Sequence, residues 1–135
     1  MSSLDHLVLT VRDVEATVTF YERALGMRGF SFAGDRRALA FGDQKINLHE
    51  LGHEHLPNAA AATPGSADLC FLTPTPIDLV VEHLEAEGVE VELGPVRADG
   101  ARGELVSVYV RDPDGNLVEI SNPTGDPAVA MKLTP

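Results

Sequence analysis

An α+β fold built from two βαβββ modules is what this 135-residue sequence predicts, and three observations carry the prediction. Alternating apolar and polar segments read as strands, two segments with apolar residues at helical spacing read as helices, and the order strand, helix, three strands occurs twice. Between the two runs lies the Ala- and Pro-rich "LPNAAAATPGS", which has the character of a linker. The expected organisation is one domain over 1–135, with module 1 at about 4–51, a linker at 52–65, module 2 at about 66–122 and a tail at 123–135.

The first module opens on "LDHLVLTV", where Leu7, Leu9 and Val11 oppose Val8 and Thr10 as in a strand. In "DVEATVTFYERALG" the residues Val14, Val18, Tyr21 and Leu25 fall at helical spacing, Asp13 is placed to cap the N-terminus, and Gly26 to end the helix. Phe20 and Tyr21 read as core packing of this helix. Three strands follow, "MRGFSFA", "RALAF" and "KINLHE", separated by Gly-Asp turn signals. The second module begins with "ADLCFLT", in which Cys70 reads as a buried apolar thiol on the face of Asp68. Its helix, "PIDLVVEHLEAEG", has Pro76 near the start, Ile77, Val80, Val81 and Leu84 on one stripe, His83 on the exposed flank and Gly88 at the end. The strands "VEVEL", "LVSVYV" and "NLVEIS" close the module, the last two joined by "DPDGN". Arg97 to Glu104, "RADGARGE", reads as a Gly-rich loop between two strands.

Composition narrows the function classes. A formal net charge of -11 disfavours nucleic acid and anionic membranes as partners, because nothing neutralises phosphates, and 44% hydrophobic residues argue against disorder. One cysteine allows no internal disulfide and suits a reducing, cytoplasmic setting. No apolar run approaches ~18 residues, and "MSSLDHL" lacks the regions of a signal peptide.

"INLHELGHEH" contains His49, Glu50 and His53 in the order H-E-x-x-H. On a helix that spacing turns two imidazoles to one face, where they grip zinc beside a general-base Glu. Here the stretch begins on a strand, Gly52 disfavours helix by ~1 kcal/mol relative to Ala, and Pro57 leaves little room for one. The expectation is a strand residue His49, with His53 and His55 solvated beyond it.

The paired modules, the "DHLVLTV" opening, the "ATVTFYERALGM" helix and the "VYVRDPDGNLVEIS" ending resemble the vicinal oxygen chelate superfamily over about Leu4 to Asn122. That superfamily includes glyoxalase I, fosfomycin-resistance thiol transferases, extradiol dioxygenases and bleomycin-resistance proteins, and "LAFGDQKINLHELG" with "PGSADLCFLT" resembles its glyoxalase I-like members most. The resemblance implies the glyoxalase/bleomycin resistance/dihydroxybiphenyl dioxygenase fold, with cupped mixed sheets and a divalent ion held by the first and last strands of the modules. It assigns metal-ligand roles to His6 and Glu119. At the remaining two positions the chain departs from glyoxalase I, with Asn47 in place of Glu and Asp68 in place of His. His49 shares the strand face of Asn47, and a two-residue register would let it serve instead. The expected set is His6, His49 and Glu119, with Asp68 as a fourth ligand or an outer carboxylate.

Such a mixture of imidazole and carboxylate suits Zn, Ni, Mn, Co or Fe(II) and leaves positions open for substrate. The implied activity is that of a metal-dependent, glyoxalase I-like lyase or isomerase acting on a small oxygenated substrate or its thiol adduct, the ion stabilising an enediolate or oxyanion and Glu119 or Asp68 moving the proton. The alternatives are a metal-free bleomycin-type binding protein, against which the polar residues on these strands argue, and a fosfomycin-type thiol transferase. Short two-module relatives also imply a homodimer with shared sites, His6 and His49 of one chain facing Asp68 and Glu119 of the other.

Overall fold

The computed structural model describes residues 1–125. In it the chain divides into two compact units, Met1–Ala67 with Asp112–Asn116, and Asp68–Arg111 with residues 117–125. The tail expected at 123–135 begins inside a strand, and its part beyond residue 125 lies outside the described residues.

The first unit carries β1 (His6–Val11), α1 (Val14–Leu25), β2 (Arg28–Phe32), β3 (Arg36–Phe41) and β4 (Gln44–Glu50). Its sheet runs β1-β4-β3-β2, with β1 parallel to β4 and the other pairs antiparallel. Both ends of α1 follow the sequence signals. The Asp13 side chain accepts from the Ala16 amide at 3.0 Å, and Gly26 adopts φ 67°, the left-handed cap that a side chain disfavours. One face of α1 buries Val18, Tyr21 and Ala24, and Leu9, Val11, Leu39, Ile46 and Leu48 are buried on the strands. Burying each Val, Leu or Ile side chain among these contributes about 1.5–3 kcal/mol.

The "DPDGN" turn belongs to this first unit and does more than reverse the chain. Buried Asp112 accepts from the Tyr21 hydroxyl at 2.8 Å, from Asn116 Nδ2 at 2.7 Å, and from the amides of Asp114 and Asn116 at 2.9 and 3.0 Å. Asn116 Oδ1 in turn accepts from the Ala67 amide, and Arg12 donates to Asp114 through both backbone and guanidinium. Burial, and then the charge of Asp112, push the Tyr21 hydroxyl far above its usual range, so it stays a donor. Tyr21 is therefore core, as expected, but its hydroxyl ties the helix to the turn.

The second unit repeats the pattern with β5 (Asp68–Leu72), α2 (Ile77–Ala86), β6 (Leu93–Asp99), β7 (Glu104–Arg111) and β8 (Leu117–Pro123), in sheet order β5-β8-β7-β6. Here β5 and β8 are parallel and the other pairs antiparallel. The α+β, two-module fold class is the one expected. One strand lies elsewhere than the sequence suggested: β6 starts at Leu93, where "VEVEL" ends, and continues to Asp99 inside the stretch read as a loop. Gly94 and Pro95 look like breakers, yet the pairing with β7 shifts register between Leu93 and Val96 and so accommodates them in a bulge. Gly94 is required there, because at φ 110° a Cβ would meet Ser107 O at 2.5 Å. The connection shrinks to Gly100–Gly103, and Arg97 forms an ion pair with Glu104 across the hairpin.

Candidate functional site

In parallel strands, residues in register point to the same side of the sheet. The pairs His6–Lys45, Val8–Asn47 and Thr10–His49 therefore share the face of the first sheet opposite Leu9, Val11, Ile46 and Leu48. In the second sheet Asp68 pairs with Leu117 and Cys70 with Glu119, while Tyr109 flanks Glu119 from β7. Asp68, Cys70, Tyr109, Glu119 and Ser121 thus form a polar face on that sheet.

The two registers are equivalent step for step. His6 corresponds to Asp68 at the start of each first strand, and two residues on, Asn47 opposite Val8 corresponds to Glu119 opposite Cys70. Asn47, not His49, therefore occupies the last-strand position in module 1. His49 lies four residues along the ladder from His6, roughly 14 Å by ordinary strand rise and spacing, too far for both imidazoles to reach one ion from a single sheet. A joint ligand role for His6 and His49 does not fit this register.

The remaining residues suit a divalent ion in complementary ways. His6 is exposed, and its Nδ1 lies 2.7 Å from Asp5 Oδ1. An ionised Asp5 only accepts, so Nδ1 is the donor in that contact and Nε2 is the nitrogen left for another partner, the arrangement of a metal-binding imidazole held by a carboxylate. Glu119 is partly exposed and accepts from Ser121 Oγ at 3.3 Å, keeping further lone pairs available. Burial, followed by the charge and hydrogen bonding of Glu119, pushes Tyr109 above its ordinary range. Asp68 is exposed at the start of β5. Among the described residues no three His, Cys, Asp or Glu side chains group around one point; His6 stands in the first unit, Asp68 and Glu119 in the second.

Cys70 departs from the buried thiol expected. It is exposed, with its sulfur 3.3 Å from Ser121 Oγ. Desolvation around the sulfur pushes its titration up, the hydrogen bond from Ser121 opposes this, and Glu119 adds to the rise, so the group rests as a thiol.

The H-E-x-x-H segment is not helical. His49 lies on β4 and His53 in the exposed turn after it, 3.4 Å from Glu50. His49 is only 5% exposed, and neither ring nitrogen has a hydrogen-bond partner. Its pKa is lowered, first by burial and then by the charges of His55 and Arg36. The His55 ring stands 5.4 Å away, edge to face. Both residues line a pocket of about 270 Å³ that also involves Arg36 and Arg37. The pairing of Arg37 with Leu48 sets Arg36 across from His49 on the same face. Neither Arg36 nor His55 stands out in the sequence; antiparallel pairing of β3 and β4 recruits the first, and the return of the chain after Glu50 the second.

The duplicated βαβββ architecture and the polar strand faces define a class. The chain belongs to the glyoxalase/bleomycin resistance protein/dioxygenase superfamily, whose family model matches residues 3–120. It is 54% identical over 118 residues to virulence protein STM3117 of Salmonella typhimurium, covering 87% of this chain and 82% of that one. The crystal structure of that protein superposes with a TM-score of 0.91 over 92% of this chain and 98% of the other, at 52% identity. A glyoxalase domain-containing protein of Mycosarcoma maydis, RDO1, is 50% identical over 120 residues, 89% of this chain and 68% of the relative. Among the described residues no helix is long and apolar enough to cross a membrane.

Proposed function

We propose that this chain is a divalent-metal-dependent enzyme of the glyoxalase type, a lyase or isomerase acting in the cytoplasm on a small oxygenated substrate or its thiol adduct. The observation that carries the reading is the contact of His6 Nδ1 with Asp5, which leaves Nε2 as the nitrogen for an ion. Glu119 is its counterpart donor, and Asp68, on the same face, is either a further ligand or a base. The superfamily includes enzymes, and the 50% identical relative bears the glyoxalase name. When bound, the ion supplies a Lewis acid that draws charge from a carbonyl or from two neighbouring oxygens. The protein residues do the rest. Asp5 fixes the His6 tautomer, and a carboxylate of Asp68 or Glu119 that is not committed to the ion takes a proton from the carbon beside the carbonyl. Tyr109, kept protonated beside Glu119, donates to that carboxylate and orients it.

The reading also includes a homodimer in which one copy supplies His6 and the other Glu119 and Asp68 to each site. A mixing experiment tests it. Inactive His6→Ala protein and inactive Glu119→Ala protein, combined under subunit exchange, form heterodimers in which one of two sites has all its ligands. Metal binding and turnover should return in part. No recovery despite confirmed exchange, or a monomer at micromolar concentration, contradicts the shared site.

A further inference from the structure

We infer that the pocket between Arg36, His49 and His55 is a binding site for a small organic carboxylate, separate from the metal donors. Two of its walls carry polar atoms that the fold leaves unanswered. Arg36 Nε and both ring nitrogens of His49 are buried without a hydrogen-bond partner. Such groups are normally paired in a folded protein, and each one left unpaired is costly. Arginine offers donors only, whereas a neutral imidazole offers one donor and one acceptor. A carboxylate answers Arg36 Nε–H and a His49 N–H, accepting from both; the other imidazole nitrogen points to the opposite edge of the ring, beyond the reach of the same small acid.

Charge and access agree with this assignment. Of the acidic residues at the pocket, Glu15 is paired with Arg37 at 3.0 Å, Glu50 lies 3.4 Å from His53, Asp35 is exposed, and Glu54, whose charge acts on His49, accepts from the Gly52 amide at 3.0 Å. Arg36 has no ion pair among the described salt bridges, and its guanidinium rests 4.9 Å from the Phe32 ring centre, which holds it in place without neutralising it. The same fixed cation disfavours a metal ion between His49 and His55. The His55 ring covers His49 from an exposed segment, so an incoming carboxylate reaches the buried nitrogens by displacing that ring. The cavity, about 270 Å³, is of a size for a compact acid.

Isothermal titration of the full chain in EDTA-containing buffer isolates this site from any metal, so its outcome is independent of the metal reading. The probes are acetate, glycolate and inorganic phosphate. Acetate and glycolate should each bind once per chain with a Kd of order 1 mM or tighter, ahead of phosphate. Arg36→Gln should weaken both about tenfold or more, the loss of one charge-assisted hydrogen bond. His49→Phe keeps a ring in the space and should weaken both similarly, while His55→Ala should leave them equal or tighter. Absence of acetate and glycolate binding at ~10 mM, or equal binding by wild type, Arg36→Gln and His49→Phe, overturns the assignment. Stronger binding of phosphate than of acetate and glycolate overturns the carboxylate class. So does zinc binding in EDTA-free buffer that disappears with His49→Phe in a chain that takes up neither acid.

Discussion

His6→Ala and Glu119→Ala are each expected to weaken divalent-ion binding by at least about 100-fold and to abolish turnover, with the fold intact. A site with so few protein donors has little chelation left when one is removed. Neither residue is part of the core: His6 is exposed and Glu119 partly so, which is why far-ultraviolet circular dichroism should stay unchanged while metal titration changes greatly. Asp5→Ala should act through His6, lowering affinity about 10-fold by releasing the tautomer and ring orientation. His53→Ala and His49→Ala should leave the affinity of the His6 site as it is, since His53 is in an exposed turn and His49 stands four ladder steps from His6. Full stoichiometric binding by His6→Ala or Glu119→Ala would remove that residue from the set.

The second large effect is on stability. Asp112→Ala should cost about 3–4 kcal/mol, because it removes the acceptor of four hydrogen bonds and leaves the Tyr21 hydroxyl and the Asn116 amide buried without a partner. Tyr21→Phe should cost about 1–2 kcal/mol, losing one bond and no volume. In thermal unfolding of a chain of this length the first corresponds to a midpoint roughly 10 °C lower. Equal and small effects of both variants would show that the turn is not the anchor that its hydrogen bonds suggest.

Much of the fold could be read in the sequence because the signals were local. Asp13 and Gly26 mark the ends of α1 through chemistry that acts within one turn, and the structure uses both. The strand β6 runs past its local punctuation because its position is set by a partner: pairing with β7 overrides Gly94 and Pro95 through a register shift. The same distinction governs the site. His6 and Glu119 carry motif signals, and the structure sets each on a polar strand face. Whether Asn47 or His49 stands at the last-strand position depends on the β1–β4 register, which a strand's alternation leaves open to a two-residue slip. Asp112 looked like a turn residue, and it is one, but its bonds to Tyr21 and Asn116 join residues 91 and 4 positions apart. Arg36 and His55 meet His49 only after folding, so no spacing in the chain announces that pocket.

Metal titration of the purified chain coupled to a turnover assay tests the central claim most directly. The protein is stripped of metal, titrated with Ni, Zn, Co or Mn by calorimetry, and assayed at each point with methylglyoxal and a thiol. The account predicts that at least one of these ions binds with micromolar affinity or better, at one ion per chain, and that turnover rises in step with occupancy and is lost again on chelation. A chain that binds none of the four at micromolar concentration, or one whose turnover is the same with and without metal, would contradict it.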